Sequence, residues 1–259
     1  MSDVKVSREG PVATLTLNRP ERRNALDPSL LVGLADTVRR FDDDPQIRVI
    51  VMTGEGSAFS AGADLQWMHA SRTLSREGNL EDAAAMRDAF DRIDACGTAV
   101  IARVNGPAMG GGAGLVACAD VAVAVDDSTF AFAETRLGLI PATISPFVLR
   151  KIGPGYARAL FTTARAFDAE EAMRIGLVHR VSAREGLDVA VAAEVASFLA
   201  CGPKAIAAAK RLIRDATKTW SLPDLAERIA EIRTGDEGRE GISAFLEKRG
   251  PRWSASSDS

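Results

Sequence analysis

The sequence predicts an α/β fold in which buried, mostly parallel strands alternate with helices, followed by a helical C-terminal region. Short runs of β-branched and small apolar residues lie at 49–52, 100–104 and 121–125, and stretches with helical periodicity separate them. Continuous apolar strands of this kind are typical of parallel sheets that helices cover on both faces. From Pro154 onward the pattern becomes helical.

The N-terminal segment predicts a strand followed by a helix. Residues 12–17 alternate apolar and polar side chains and run into a loop at Pro20. After Asp27, apolar residues recur at helical spacing as far as Phe41, and an acidic run that ends in Pro45 stops the helix.

The length of 259 residues permits one large domain or a domain with a small appendage. We expect an α/β core over residues 1–190 that carries the site. Residues 191–259 are then a helical oligomerisation region, in which Ile206, Ala209 and Ile213 share one helix face.

Composition and charge exclude some classes of function. The formal net charge is −3, which argues against a surface built to bind nucleic acid, so any anionic ligand must be held locally. The cysteines Cys96, Cys118 and Cys201 are odd in number and have no CxxC spacing, which favours reduced, buried thiols over disulfides or zinc ligands.

We expect a cytoplasmic protein that does not bind a membrane. The first residues contain no apolar signal segment. No later run reaches the roughly 18 apolar residues that span a bilayer.

The first stretch that can carry chemistry is 58–65, after the strand at 49–52. Its small residues allow a ligand to approach the backbone, and a following helix would direct free N–H groups at a negatively charged atom. Asp64 is placed to cap that helix. Taken alone, this segment is equally compatible with an ordinary strand-to-helix turn.

The second stretch is 104–115, which contains the consecutive glycines Gly110, Gly111 and Gly112. It is not a phosphate loop, because GxxxxGK[ST] is absent and the dinucleotide pattern GxGxxG fails at Leu115. Two small-residue turns that each give one N–H donor could form an oxyanion hole. Loss of one such donor typically costs about 3 kcal/mol of transition-state stabilisation.

The third stretch centres on Glu134, which stands among apolar residues. Burial would raise the pKa of its carboxyl and suit it to proton transfer near neutral pH. Two structural alternatives remain open at this point: an ion pair with Arg136, or a carboxylate at a helix N-terminus.

Other chemistries lack support. His69 and His179 lie far apart without a pattern of cysteines or carboxylates, so we predict neither a metal site nor a cofactor. No GxSxG elbow occurs, and Ser145 has no evident base.

In their order and spacing, the three stretches resemble the crotonase, or enoyl-CoA hydratase/isomerase, superfamily. They contain AGAD at 61–64, NGxxxGGG at 105–112 and ExxxGxxP at 134–141, and the resemblance extends from Asn18 to Arg249. It implies a spiral of ββα turns, C-terminal helices that drive trimerisation, often into a dimer of trimers, and coenzyme A as part of the substrate.

The resemblance also implies roles for individual residues. The amides of Ala63 and Gly111 would hold the thioester oxygen, and Glu134 would be the catalytic carboxylate. Further contacts to the acyl-CoA are implied for Arg23, Ala25, Gly62, Asp64, Leu65, Gln66 and Lys248.

Two departures from the family pattern bear on the reaction. Gly114 stands where typical hydratases carry the first of two glutamates, and residues 142–146 replace a glycine-rich run. Both features resemble the bacterial methylglutaconyl-CoA and isohexenylglutaconyl-CoA hydratases of leucine and terpene breakdown. The substrates of that branch carry an extra carboxylate, which Arg136 or another cation near Glu134 would receive.

We therefore expect a lyase that adds water to a 2-enoyl-CoA thioester, or removes it. An isomerase that uses Glu134 alone is the main alternative. A non-catalytic acyl-CoA-binding subunit is a further one, although a buried carboxylate without a task is costly.

Overall fold

The computed structural model describes residues 3–218 and 225–254. The strands are β1 Val4–Glu9, β2 Val12–Leu17, β3 Val49–Gly54, β4 Ala99–Val104, β5 Ala108–Met109, β6 Val121–Val125, β7 Thr129–Ala131, β8 Phe167–Asp168 and β9 Arg180–Ser182. The α-helices are α1 Pro28–Asp42, α2 Leu65–Ser71, α3 Arg76–Ala95, α4 Gly111–Cys118, α5 Ser145–Thr163, α6 Ala169–Arg174, α7 Leu187–Leu199, α8 Pro203–Lys218, α9 Leu225–Thr234 and α10 Asp236–Leu246.

The strands form two sheets. The larger has the order β1-β2-β3-β4-β6-β9, and only its β1–β2 hairpin is antiparallel. The smaller has the order β5-β7-β8. The predicted α/β class with a mostly parallel sheet is confirmed, and strands β2 and β6 have the predicted bounds.

Both faces of the larger sheet are buried, as continuous apolar strands require. Ile50 and Val100 belong to the main core with helices α1, α3, α4 and α5. Val49 and Ile101 point to the other face, where the side chains of α7 cover them. Helix α7 is part of this second core, and Ile206 of α8 packs against it. The division of the chain after residue 190 remains a prediction.

The predicted first helix forms as its cap residues indicate. The side chain of Asp27 accepts a hydrogen bond from the Leu30 amide at 2.8 Å, and Pro28 occupies the first helical position. Leu30, Leu34 and Val38 are buried on its inner face.

The C-terminal segment is attached to the amino-terminal edge of β3. Arg48, just before that strand, donates to the carbonyls of Cys201 at 2.7 Å and Trp253 at 3.3 Å. Cys96 and Cys118 are buried as predicted, but the prediction for Cys201 is wrong, because that residue follows α7 at the surface. The sequence also predicts a helical run from Pro223, and α9 is described over Leu225–Thr234. Pro223 lies outside the described residues, as do residues 255–259.

Over the described ranges, no single helix has the length and apolar character to cross a bilayer. One bent pair, Arg184–Leu199 with Pro203–Ala216, passes that test at an angle of 99°.

Candidate active site

The first turn leaves β3 and ends at Asp64, the N-cap of α2. One oxygen of Asp64 accepts from the amides of Gln66 at 2.8 Å and Trp67 at 3.1 Å, and the other pairs with Arg22 at 3.1 Å. Burial acts to raise the pKa of Asp64, but the two amides and the guanidinium outweigh it and hold the pKa below its usual value. The predicted cap is confirmed, and Asp64 is an ionised structural group.

The second turn leaves β4, forms the short strand β5 and enters α4. Gly110 is the N-cap of this helix and has φ 47° and ψ −117°, a conformation that favours glycine. At Gly112, an added Cβ would lie 2.8 Å from both Cβ and the carbonyl oxygen of Ser60. Gly110 is therefore required by its backbone conformation, and Gly112 allows the two turns to approach closely.

Hydrogen bonds hold the two turns side by side. The Ser60 amide donates to the carbonyl of Pro107 at 3.1 Å, and the Met109 amide donates to the carbonyl of Ser60 at 2.9 Å. Gly62, at φ 89°, is so close that an added Cβ would lie 2.9 Å from the Met109 carbonyl oxygen. The convergence expected from the sequence is confirmed.

Leu26 contacts both turns. Its amide donates to the Gly62 carbonyl at 2.7 Å, and its carbonyl accepts from the Asp64 amide at 2.8 Å. The Leu26 side chain also approaches Gly111, where an added Cβ would lie 3.1 Å from Cδ1. These two hydrogen bonds of Leu26 engage Gly62 and Asp64, on either side of Ala63, and neither involves the Ala63 amide.

Two amides at this junction are free. Over residues 3–218 and 225–254, no backbone or side-chain acceptor lies within hydrogen-bond distance of the N–H groups of Ala63 and Gly111. Gly111 is the first residue of α4, where an N–H has no partner within the helix. Two free donors on adjoining turns can together bind a carbonyl oxygen that gains negative charge.

The carboxyl group of Glu134 lies beside Gly110, the residue before the Gly111 donor. The Gly110 amide donates to Ala131 of β7 at 2.8 Å, and the chain then enters a 3-10 helix over Glu134–Leu137. An added Cβ at Gly110 would lie 3.3 Å from Oε1 of Glu134. The carboxyl group therefore lies beside the residue that precedes Gly111.

Glu134 is poised for proton transfer. Its Oε2 atom is buried, and no described residue gives it a hydrogen-bond partner. Burial raises the pKa of this carboxyl above its usual value, as predicted, and its own backbone amide offsets the rise only in part. Within the described chain Arg136 is exposed and forms no ion pair with Glu134, whereas Glu134 does begin a short helix.

Position 114 is not open space. An added Cβ at Gly114 would lie 2.4 Å from Cγ2 of Ile144 and 3.3 Å from Cε1 of Phe90. Sequence reasoning noted the missing glutamate but did not identify Ile144 or Phe90. The departure from the family pattern at 142–146 was the one feature of the sequence that could have pointed to Ile144.

The structure brings most of the predicted binding residues together around these turns. Arg23 is exposed at φ 50°, and its carbonyl accepts from the Ala61 amide at 2.8 Å, while Ala25 is buried. Leu65, 80% exposed, and Gln66 begin α2 at the surface.

Lys248 is not brought to these turns by any described contact. Its amide donates to the Phe245 carbonyl at 3.2 Å. The neighbouring Arg249 pairs with Glu240 at 2.7 Å, and Trp253 is held near Arg48. The role predicted for Lys248 remains a prediction.

His179 lies at the edge of the larger sheet, and His69 is in the last turn of α2. Nδ1 of His179 accepts from the Ala122 amide at 3.0 Å, and burial lowers its pKa. In the described part of the chain, no group of three His, Cys, Asp or Glu side chains is arranged to hold a metal ion.

A parallel α/β layer that ends in two joined glycine turns, beside a buried carboxyl, defines a crotonase-type protein. The sequence matches the enoyl-CoA hydratase/isomerase family over residues 7–256. The crotonyl-CoA hydratase of Syntrophomonas wolfei is 34% identical, with 95% of this chain and 96% of that protein covered. The carnitinyl-CoA dehydratase of Citrobacter koseri has the same identity and coverage.

Among solved structures, Pseudomonas aeruginosa AtuE is 35% identical with a TM-score of 0.93, and 98% of this chain and 100% of that chain are covered. The chain belongs to the enoyl-CoA hydratase/isomerase family. Hydratase-like activity on acyl-CoA thioesters follows from that membership.

Proposed function

We propose that this protein is a 2-enoyl-CoA hydratase in which Glu134 is the acid and the base, and that its substrates are branched or carboxylated thioesters such as methylglutaconyl-CoA. The observation that carries the proposal is the carboxyl group of Glu134, whose Oε2 is buried without a hydrogen-bond partner among the described residues and whose Oε1 lies 3.3 Å from the position of an added Cβ at Gly110. The relatives named crotonyl-CoA hydratase and carnitinyl-CoA dehydratase support the addition or removal of water.

One carboxylate is sufficient for the chemistry. Ionised Glu134 takes a proton from water as the water oxygen bonds to the β-carbon of the thioester. The electron pair of the double bond moves to the carbonyl oxygen, and the amides of Ala63 and Gly111 bind the resulting enolate more strongly than the neutral carbonyl. Glu134 then returns its proton to the α-carbon, so that H and OH are added in sum.

The thioester would lie along the residues that surround the turns. Arg23, Ala25 and Gly62 would contact the nucleotide end, and residues 63–66 the acyl end. Arg136 would receive the additional carboxylate, because its guanidinium is exposed and lies two residues beyond Glu134. In a chain of net charge −3, such cations attract an anionic ligand only locally.

We also propose a cytoplasmic homotrimer or dimer of trimers. The support is an exposed apolar face on α10, where Ile242, Phe245 and Leu246 are 47%, 82% and 73% exposed. Side chains of this size are usually covered by a partner when they cluster. Sedimentation of the purified protein would give the number of chains.

The test is a panel of enoyl-CoA thioesters followed at the absorbance of the conjugated thioester. We expect absorbance to fall with carboxylated substrates and to change little with crotonyl-CoA. Efficient hydration of crotonyl-CoA would contradict the substrate assignment. A Glu134→Gln variant that kept most of its activity would contradict the role of Glu134.

An enoyl-CoA isomerase is the second candidate, because a single carboxylate can also move one proton between two carbons. A conjugated product formed from a 3-enoyl thioester would favour it. Thioester binding without turnover of any panel member would favour a non-catalytic acyl-CoA-binding subunit.

A further inference from the structure

Gly114 and Ile144 occupy the same space, so only one of these positions can carry a large side chain. A Cβ at Gly114 would lie 2.4 Å from Cγ2 of Ile144, closer than real Cβ contacts, and 3.0 Å from Cβ of Ile144, tighter than most of them. The two departures from the family pattern, 30 residues apart, are therefore in direct contact.

Position 114 lies on the helix face that carries the site. Its amide donates to the Gly110 carbonyl at 3.0 Å, which places it one turn beyond the start of α4 and on the side of Gly111. The ring of Phe90 lies beneath both glycines, 3.6 Å from an added Cβ at Gly111 and 3.3 Å from one at Gly114. Ile144 and Phe90 thus fill the space that a side chain at position 114 would enter.

Ile144 is held firmly in this place. It is the N-cap residue of α5, is 1% exposed, and its carbonyl accepts from the amides of Phe147 at 3.2 Å and Val148 at 3.1 Å. The rings of Phe90 and Phe147, with centroids 6.1 Å apart, pack in the same core. A side chain at position 114 could not displace Ile144 without moving the start of α5.

We propose that Ile144 is a specificity-determining residue, which closes position 114 and replaces a second carboxylate with an apolar wall. This inference rests on the proposed function. Ile144 offers water no proton acceptor, so acid–base chemistry at these positions is left to Glu134. Hydration of simple 2-enoyl thioesters is then slow, and selectivity for carboxylated thioesters comes from Arg136, which would hold their extra carboxylate.

The experiment is a pair of double variants that reopen position 114. Ile144→Gly removes both clashing carbons, and glycine is tolerated at a helix N-cap. In that background, Gly114→Glu installs a second carboxylate, and Gly114→Ala is the matched control without one. Ile144→Val, which keeps a branched wall, controls for loss of one methylene.

Two measurements test the proposal. In thermal unfolding, Gly114→Ala and Gly114→Glu alone should lower the melting temperature, and each should lower it less in the Ile144→Gly background than in the natural protein, since Ile144→Gly itself destabilises the core. The Glu double variant should hydrate crotonyl-CoA about 10-fold or more faster than the Ala double variant, since a positioned acid–base group contributes about 10²–10⁴-fold. Ile144→Val should keep the substrate preference of the natural protein.

The two measurements separate the proposal from the function on which it rests. Gly114→Glu alone with an unchanged melting temperature would overturn closure of position 114 by Ile144. A folded Glu double variant that is no faster than its Ala control would overturn the role in specificity. If the natural protein hydrates no thioester, the proposed function fails, while the unfolding cycle still measures the contact between positions 114 and 144.

Discussion

Replacement of Gly111 by proline tests the proposed oxyanion hole, because it removes one N–H. Gly111 is the first residue of α4, where proline is favoured and where the N–H has no helical partner. No hydrogen bond within the described chain depends on that amide. The variant should therefore fold and lose the donor.

The expected size of the effect follows from the number of donors. With the amide of Ala63 still in place, loss of the second donor should lower kcat by about 10²–10³, or about 3–4 kcal/mol. The proline ring also adds a Cβ that would lie 3.1 Å from Cδ1 of Leu26. Gly111→Ala adds the same Cβ and keeps the N–H, so the ratio between the two variants measures the lost hydrogen bond together with the ring carbon that takes the place of the amide hydrogen.

The assay is steady-state hydration of the thioester that the natural protein uses best, with circular dichroism to establish that each variant folds. We expect a large difference in kcat between the proline and alanine variants and a smaller one between alanine and glycine. Equal kcat values for two folded variants would refute the assignment of the Gly111 amide to the oxyanion.

Three further predictions concern Glu134 and the first turn. Glu134→Gln should lower kcat by about 10²–10⁴. Because burial raises the pKa of Glu134 in the folded state, the associated stability is present below the unfolded value and is lost as pH rises through the folded one. The Gln variant should thus gain stability relative to the natural protein between pH 4 and pH 8 in urea unfolding, and a pH-independent difference would contradict this. For the same reason, kcat/KM should fall on the acid side at a pH above the ordinary 4.5 of glutamate, and an acid limb at or below that value would argue against burial as the tuning factor. Asp64→Ala and Asp168→Ala each remove an N-cap, at a cost of about 1 kcal/mol, but only the Asp64 variant should also lose catalytic efficiency, since Asp168 caps the unrelated helix α6.

Local patterns were sufficient to predict the four strands β2, β3, β4 and β6 and the first helix. The alternation at 12–17 and the apolar run at 121–125 reflect burial on one or both faces, which the chain encodes residue by residue. The order of the strands in the sheet could not be predicted in this way. It depends on how the helices that connect the strands pack against the sheet, and the sequence of no single segment determines that.

The parts of the site that consist of backbone could be predicted from the sequence. The parts that depend on contacts between residues distant in sequence could not. Glycine turns at Gly62 and Gly110 indicate close approach whatever surrounds them. That Ile144 fills the space at Gly114 depends on how α5 packs against α4, which the sequence of neither helix specifies. The exposure of Cys201 likewise depends on the chain that surrounds it.

The loop that joins Arg23 to Leu26 has a mechanical consequence. Arg23 and Asn24 both have positive φ angles, and the loop is fastened to the first turn at two places, from Ala61 to Arg23 and from Leu26 to Gly62. A ligand that contacts this loop would, through these two hydrogen bonds, affect the position of the backbone immediately before Ala63 and so the orientation of its amide. The nucleotide end of a thioester lies far from the carbon that reacts, yet its contact with this loop would affect the orientation of the Ala63 amide. A shortened thioester would therefore lose turnover as well as affinity.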